Sequence, residues 1–259
     1  MNAGKKIYFL SDFHLGAPDA QKSLEREKII VRFLDEIKKD AEEIFIVGDI
    51  FDFWFEYRKV VPKGFVRLLG KLAELSDAGI AIHFFVGNHD MWVKDYFQKE
   101  LNISVYFGTK IFERDNKKFL IGHGDGLGPS DRGYKQLKKI FSNPLCQWLF
   151  GILPPYFGIG LANYFSRRSR AQTGIIEETF LGVDKEWLLL YCKKKLLLNH
   201  FDFFIFGHRH LPIDYNLNDS GSRYINLGDW IHYFTYAEFD GITLELKSFT
   251  NQHDKIIKE

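Results

Sequence analysis

Apolar residues come in short dense bursts along this chain, and several bursts stop abruptly at polar clusters. Ile7-Tyr8-Phe9-Leu10 runs into Ser11-Asp12-Phe13-His14. "EIFIVGDIFD" turns polar at Gly48-Asp49, and "IAIHFFVGNHD" breaks at Gly87 into Asn88, His89 and Asp90. "KFLIGHGDG" and "FDFFIFGHRH" repeat the arrangement further on. Such short runs, rich in β-branched and aromatic residues, predict buried strands. "SRYINLGDW" and "YAEFDGITLELKSF" predict terminal antiparallel strands. Between them the period changes. Ile29, Ile30, Phe33, Leu34 and Ile37 share one face of a helix predicted from about Ser23 to Lys39. "FVRLLGKLAELSDAG" predicts an amphipathic helix with a glycine stop at Gly79. Repeats, low-complexity segments and evident linkers are absent from the sequence.

The stretch 134–199 has a different character, dominated by helical patterns. It holds ten Lys and Arg against four acids, a local charge of +6 in a chain whose net charge is +1. Apolar clusters such as "PLCQWLFGILPPYFGIGLANYF" sit beside "SRRSR". The pattern predicts a helical, basic and aromatic-rich insertion at 134–199, set into a core formed by 1–133 and 200–259. Taken alone, an aromatic stripe at helical spacing is more often core than lipid groove, and "SRRSR" more often a solvated face than a phosphate clamp.

Composition narrows the classes. A chain of 259 residues suffices for one large α/β domain or two small ones. A net charge of +1 gives no global field to attract nucleic acid, so none is expected as a partner. The sequence contains no uninterrupted apolar run long enough to span a bilayer. The opening "MNAGKKIYFLSDFHLG" imitates a signal peptide, but Asp12, His14 and the lack of a small-residue cleavage site favour a first strand. Cys146 and Cys192 lack metal-type spacing and are expected to be free thiols in a reducing cytoplasm.

Five strand ends therefore carry Asp12-x-His14, Asp49 with Asp52, Asn88-His89-Asp90, His123 and His208-x-His210. Ligands of α/β sheets gather at the carboxyl ends of strands, where loops are free to carry polar groups. Alternation along an extended segment would put both side chains of Asp-x-His and His-x-His on one side. Glycine before Asp49, Asn88, His123 and His208 permits sharp turns or close approach. Imidazole, carboxylate and amide oxygen together suit Mn, Fe, Co or Zn better than calcium. Seven candidates, Asp12, His14, Asp49, Asn88, His123, His208 and His210, are too many for one ion and suit two with a shared carboxylate. Two such ions can clamp a phosphoryl group and generate a nucleophile near neutral pH. The amide of Asn88 would bind without adding negative charge where an anionic phosphate must enter.

This ordered set resembles the calcineurin-like metallophosphoesterases, whose signature is D-x-H, G-D-x-x-D, G-N-H-D/E, G-H and G-H-x-H. The resemblance covers roughly residues 5–130 and 200–247. It implies a four-layer α/β/β/α sandwich, here with a helical cap insertion, and two divalent metals, manganese foremost. It implies that Asp12, His14, Asp49 and His210 hold one metal and that Asp49, Asn88, His123 and His208 hold the other. His89, left over, would lie beside the phosphate, paired with Asp52. A carboxylate partner would raise its pKa and leave an imidazolium for the transferring phosphoryl group or the leaving oxygen. His83, His200, His232 and His253 have no partner pattern and are read as structural or exposed.

"GDIFDFWFEY", "HGDGLGPSDRGY" and the basic, aromatic insertion further resemble the UDP-2,3-diacylglucosamine hydrolases of lipid A synthesis. By position, Asp131 would contact the glucosamine, Asn88 and His89 the diphosphate, and Ser166 and Arg170 would be the polar contacts of the cap. The implied reaction is cleavage at the α-phosphorus to UMP and 2,3-diacylglucosamine 1-phosphate. The implied setting is the cytoplasmic face of the inner membrane, with peripheral contact between the basic insertion and anionic lipid. Two departures stand out. His89 occupies a position where many lipid A hydrolases have arginine, and Arg209 interrupts the common G-H-T-H. A general phosphodiesterase or nucleotide hydrolase on the same core stays open, as does a non-catalytic scaffold of the same fold.

Overall fold

The computed structural model describes residues 4–129, 132–162, 164–166, 179–218, 221–250 and 256–258, with the side chains of 132–134 and 137 left aside. Two six-stranded sheets are stacked face to face. The first has the order β11 (Leu244–Ser248), β10 (Thr235–Phe239), β1 (Lys6–Leu10), β2 (Ala41–Val47), β3 (Ala81–Phe85), β4 (Ser104–Tyr106). The second runs β12 (Ile257–Lys258), β8 (Pro212–Asn216), β9 (Arg223–Leu227), β7 (Phe203–Phe206), β6 (Lys117–Ile121), β5 (Lys110–Arg114). Phe9, Phe45, Val47 and Phe85 from one sheet meet Phe119, Ile121, Ile205 and Ile225 from the other. Both faces of the central strands are thus buried, which is why they read as unbroken apolar runs.

Helices α1 (Ala20–Ile37), α2 (Val66–Asp77) and α3 (Tyr96–Leu101) cover the outer face of the first sheet through Ile30, Phe33, Leu72 and Phe97. Asp19 caps α1, accepting from the Lys22 amide at 2.9 Å, so the helix begins three residues before Ser23. Glu27 on α1 caps α2 in turn, accepting from the amides of Arg67 and Leu68. The outer face of the second sheet is covered by Leu188, Leu189 and Cys192 of the helix Trp187–Leu196, packed on Leu120 and Phe204. These are the four layers that the resemblance implies.

Two expectations change. The Trp187–Leu196 helix falls within 134–199, yet it is a core layer, because its apolar side is buried against the second sheet. The other helices of that stretch behave differently. They are α4 (Arg132–Phe141), α5 (Pro144–Ile152) and α6 (residues 155–162), which makes the core helix α7. Secondly, β9 does not join β10 and β11 in a terminal antiparallel group. It lies inside the second sheet, antiparallel to β8 and parallel to β7, while β10 and β11 pair at the edge of the first. Cys146 and Cys192 are free thiols. No helix among the described residues is long and apolar enough to cross a membrane.

His83, read as lacking a partner, belongs to a network. Its Nε2 lies 2.9 Å from Glu43 Oε2 and its Nδ1 3.2 Å from the Tyr106 hydroxyl, and Arg114 also bonds Glu43. Burial opposes ionisation of Glu43, but the hydrogen bonds from His83 and Arg114 outweigh it and hold its pKa at about 2. Glu43→Gln should therefore cost about 1–3 kcal/mol at pH 7, read by urea unfolding. A carboxyl depressed in the folded state stabilises fully above its ordinary value of 4.5 and loses that contribution as pH falls toward about 2. The gap between wild type and variant should close over that window. A constant gap would contradict the role of the charge.

Candidate metal centre

All five polar clusters emerge at one end of the sandwich, and the loops hold one another. The amide of Asp12 donates to Gly48 O at 3.1 Å, that of His14 to Asp49 O at 2.9 Å, and that of Gly207 to His123 O at 2.9 Å. Asp12, His14, Asp49, His208 and His210 all have positive φ, from 43° to 67°. Asp-x-His and His-x-His thus do not converge by extended alternation, as the sequence suggested. Left-handed residues redirect each loop, at a backbone cost that non-glycine residues tolerate only where surrounding contacts enforce it. Gly87 and Gly207 are needed for a different reason: a Cβ at Gly87 would collide with Asp49, and one at Gly207 with Asp12 and Ser11.

The side chains form two overlapping groups. Asp12, His14 and His210 offer ligand atoms within 4.8 Å of one another, as do Asp49, His123 and His208. His14 Nε2 lies 3.2 Å from His210 Nε2, and His210 Nε2 lies 3.5 Å from Asp12 Oδ1. In the second group Asn88 Oδ1 is 3.0 Å from His123 Nε2. Asp49 Oδ2 stands between the groups, 3.6 Å from His14 Nε2 and 3.2 Å from His123 Nε2. All seven predicted ligands therefore meet. His89 also comes within ligand reach of His14 and Asp49, which the sequence reading did not anticipate.

The donor chemistry fits divalent cations. His123 Nδ1 donates to the Val47 carbonyl at 2.9 Å, so in the neutral ring Nε2 carries a lone pair. That lone pair faces the Asp49 carboxylate and the Asn88 amide oxygen. His210 Nδ1 similarly lies 3.3 Å from Asp229 Oδ2, which turns Nε2 toward His14 and Asp12. Acceptors converge on acceptors in both groups, and a bound cation satisfies such an arrangement. Burial works against ionisation of Asp49, but the imidazoles of His123 and His89 hold its carboxyl well below the usual range.

His89 departs from expectation in its partner. Its Nδ1 contacts the main-chain carbonyl of Asp52 at 3.0 Å, while the Asp52 carboxylate is 3.6 Å away. Burial lowers its pKa to about 4 against the pull of Asp49, with neighbouring imidazoles adding to the decrease. An imidazolium is not the resting form set by these groups. Ser166 Oγ donates to Asp52 Oδ2 at 3.0 Å and lies 3.3 Å from His89 Nδ1, so this residue of the insertion reaches the core pair directly. Asp131 and Arg170 lie outside the described residues.

Two positioning carboxylates escaped the sequence reading. Asp90 accepts from Gly87 N at 2.7 Å and from Ile50 N at 2.8 Å, clamping the loops after β3 and β2 together. Burial first, and the Asp49 charge second, push its carboxyl up to about 7. Asp229 holds His210 and also accepts from the amides of Ile231, His232 and Tyr233. A signal for it was present: "INLGDW" is another apolar run ending in Gly-Asp.

Above the site, α5 docks by one face and leaves the other in solvent. Phe150 packs on Phe55 and Trp92, with ring centroids 4.8 and 4.6 Å apart, and Trp92 Nε1 donates to Phe141 O at 2.7 Å. Leu145, Trp148, Leu149 and Ile152, at helical spacing, are exposed, Trp148 by 62%. The aromatic stripe is thus not core, contrary to the reading that spacing alone favours.

The calcineurin-like phosphoesterase family model matches residues 5–212. A Porphyromonas gingivalis (strain ATCC BAA-308 / W83) protein named UDP-2,3-diacylglucosamine hydrolase is 42% identical over 256 residues, which span 94% of this chain and 97% of that protein. A Pseudomonas aeruginosa (strain UCBPP-PA14) protein of the same name is 29% identical, over 86% of this chain and 90% of its own. Among solved structures, Yfce, a phosphoesterase from E. coli, aligns with a TM-score of 0.45 at 17% identity, covering 97% of this chain and 96% of that one.

Proposed function

This chain belongs to the calcineurin-like phosphoesterase family, and from that premise we propose that it hydrolyses UDP-2,3-diacylglucosamine to UMP and 2,3-diacylglucosamine 1-phosphate. The 42% identity to the Porphyromonas gingivalis hydrolase, sustained over 94% of the chain, carries this reading. The converged Asp, His and Asn side chains support it chemically. Asp12, His14, Asp49 and His210 would hold one divalent ion, and Asp49, Asn88, His123 and His208 the other, with manganese as the expected metal. Bound there, the pair would neutralise phosphoryl charge and supply a strong nucleophile near neutral pH.

The protein's own groups then orient and select. Asp229 and the Val47 carbonyl fix the rings of His210 and His123. Asp52 holds His89 through its main-chain oxygen, so the second ring nitrogen carries a lone pair in the neutral ring. It becomes a donor to the substrate phosphate or the leaving oxygen once the anionic substrate draws a proton onto it. Residues 134–166 would form the cap over the diphosphate and acyl chains, with Ser166 anchoring it on Asp52; Asp131 would contact the glucosamine, and Arg170 would be a further polar contact of the cap. The exposed apolar face of α5, together with Lys139 in the last turn of α4, would contact acyl chains and the cytoplasmic face of the inner membrane.

The decisive test is product formation. Mn²⁺ added after chelation should restore activity, and UMP should appear from the acylated UDP-sugar but not from UDP-glucose. Equal turnover of an unacylated substrate would remove the lipid assignment and leave a general phosphodiesterase. Trp148→Asp should lower kcat/KM for the acylated substrate about tenfold or more, since burial of a large apolar side chain is worth roughly 1.5–3 kcal/mol. Turnover of bis-p-nitrophenyl phosphate should stay unchanged, and a parallel loss there would point to damage at the metal centre.

A further inference from the structure

Arg209 stands between two of the clustered histidines but is itself completely buried elsewhere. Its Nε donates to Glu186 Oε1 at 2.7 Å and its Nη2 to Glu186 Oε2 at 3.2 Å, a two-point contact with a carboxylate that is also fully buried. Nη2 donates further to the Thr179 carbonyl at 2.8 Å, and the guanidinium lies 4.4 Å from the Trp187 ring centroid. Every one of these partners belongs to the segment 179–187, through which the chain returns from the insertion into α7. The end of that segment and the start of α7 touch the fourth-motif loop, since a Cβ at Gly128 would strike Trp187 and one at Gly124 would press on Leu188.

The loop that Arg209 occupies needs such an anchor. His208 and His210 flank it with φ of 67° and 54°, and the Arg209 amide closes a tight turn onto Gly207 O at 2.8 Å. Two left-handed non-glycine residues so close together persist only where other contacts over-determine them. Asn226 holds one end by donating to Gly207 O at 2.6 Å, and Asp229 holds the His210 ring. The middle is held by the guanidinium, whose planar fork a lysine cannot reproduce.

We propose that Arg209 is a positioning residue: its buried pair with Glu186 ties segment 179–187 to the loop bearing His208 and His210, and thereby sets the affinity for the divalent ions. The proposal rests on the two-metal reading above. It explains a departure already visible in the sequence, arginine within G-H-x-H, by giving that side chain a partner in the segment that returns from the insertion.

The test uses full-length protein stripped by chelator and titrated with Mn²⁺, with bound ion measured by equilibrium dialysis and elemental analysis. Arg209→Met should weaken Mn²⁺ binding tenfold or more, and Arg209→Lys should fall between it and wild type. The double variant Arg209→Met/Glu186→Leu removes both buried charges together, so the metal-free protein should resist urea nearly as well as wild type while Mn²⁺ still binds weakly. If Arg209→Met does not fold, the double variant decides. Wild-type affinity in the folded variants would overturn the proposal and leave Arg209 a fold-stabilising residue only. Absence of Mn²⁺ binding by wild type would overturn the two-metal reading and this proposal with it, so the two failures are distinguishable.

Discussion

Asp49→Ala is expected to strip the protein of both divalent ions and of nearly all hydrolytic activity. Its Oδ2 stands between the two ligand groups, 3.6 Å from His14 Nε2 and 3.2 Å from His123 Nε2. Its Oδ1 accepts from the His89 amide at 2.9 Å, so the same side chain also holds the third-motif loop. Loss of one positioned electrostatic group costs roughly 10²–10³-fold in rate. Loss of the group on which both ions depend should exceed that. Metal content and kcat measured on the same preparation check it, with near- and far-ultraviolet circular dichroism confirming that the sandwich persists. Two retained equivalents of metal in Asp49→Ala would refute the shared-ligand assignment.

His89→Ala should behave differently, keeping its metals while losing something like 10²–10³-fold in kcat. The ring is tied to Asp52 O and Ser166 on one side and lies 4.7 Å, centroid to centroid, from His14 on the other. That position suits a group acting on the substrate phosphate. It is also within ligand reach of His14 and Asp49, so geometry by itself allows a metal role. Elemental analysis separates the two: one ion lost from His89→Ala would make it a ligand, and undiminished turnover would deny it any part in the chemistry. Because burial leaves the ring neutral near pH 7, its contribution depends on which nitrogen carries the proton, and the Asp52 carbonyl assigns that proton to Nδ1.

Much of the site was legible because each motif is local. A strand buried on both faces must be apolar throughout, so the residue at which polarity begins marks the strand end, and five such marks carried ligand-type residues. Elements whose burial depends on distant partners were harder to read. β4, β5 and β8 are short and mix polar or charged with apolar residues, because they lie at or near sheet edges. α7 carries a Lys193-Lys194-Lys195 run that matches the basic character of the insertion, and only the packing of its leucines on Phe204 and Leu120 makes it a layer of the core.

The sequence by itself determined which side chains could bind metal, the order in which the strand ends present them, and the aromatic and basic character of 134–199. Those properties reside in residue type and short spacing. Only the tertiary structure decided that Asp52 meets His89 through its backbone, that His89 comes within ligand reach of His14 and Asp49, and that Asp90, Asp229 and Arg209 hold the loops. Each of these is a contact between segments far apart in the chain. Its geometry is set by left-handed loop residues and by the packing of two sheets, which no local pattern encodes.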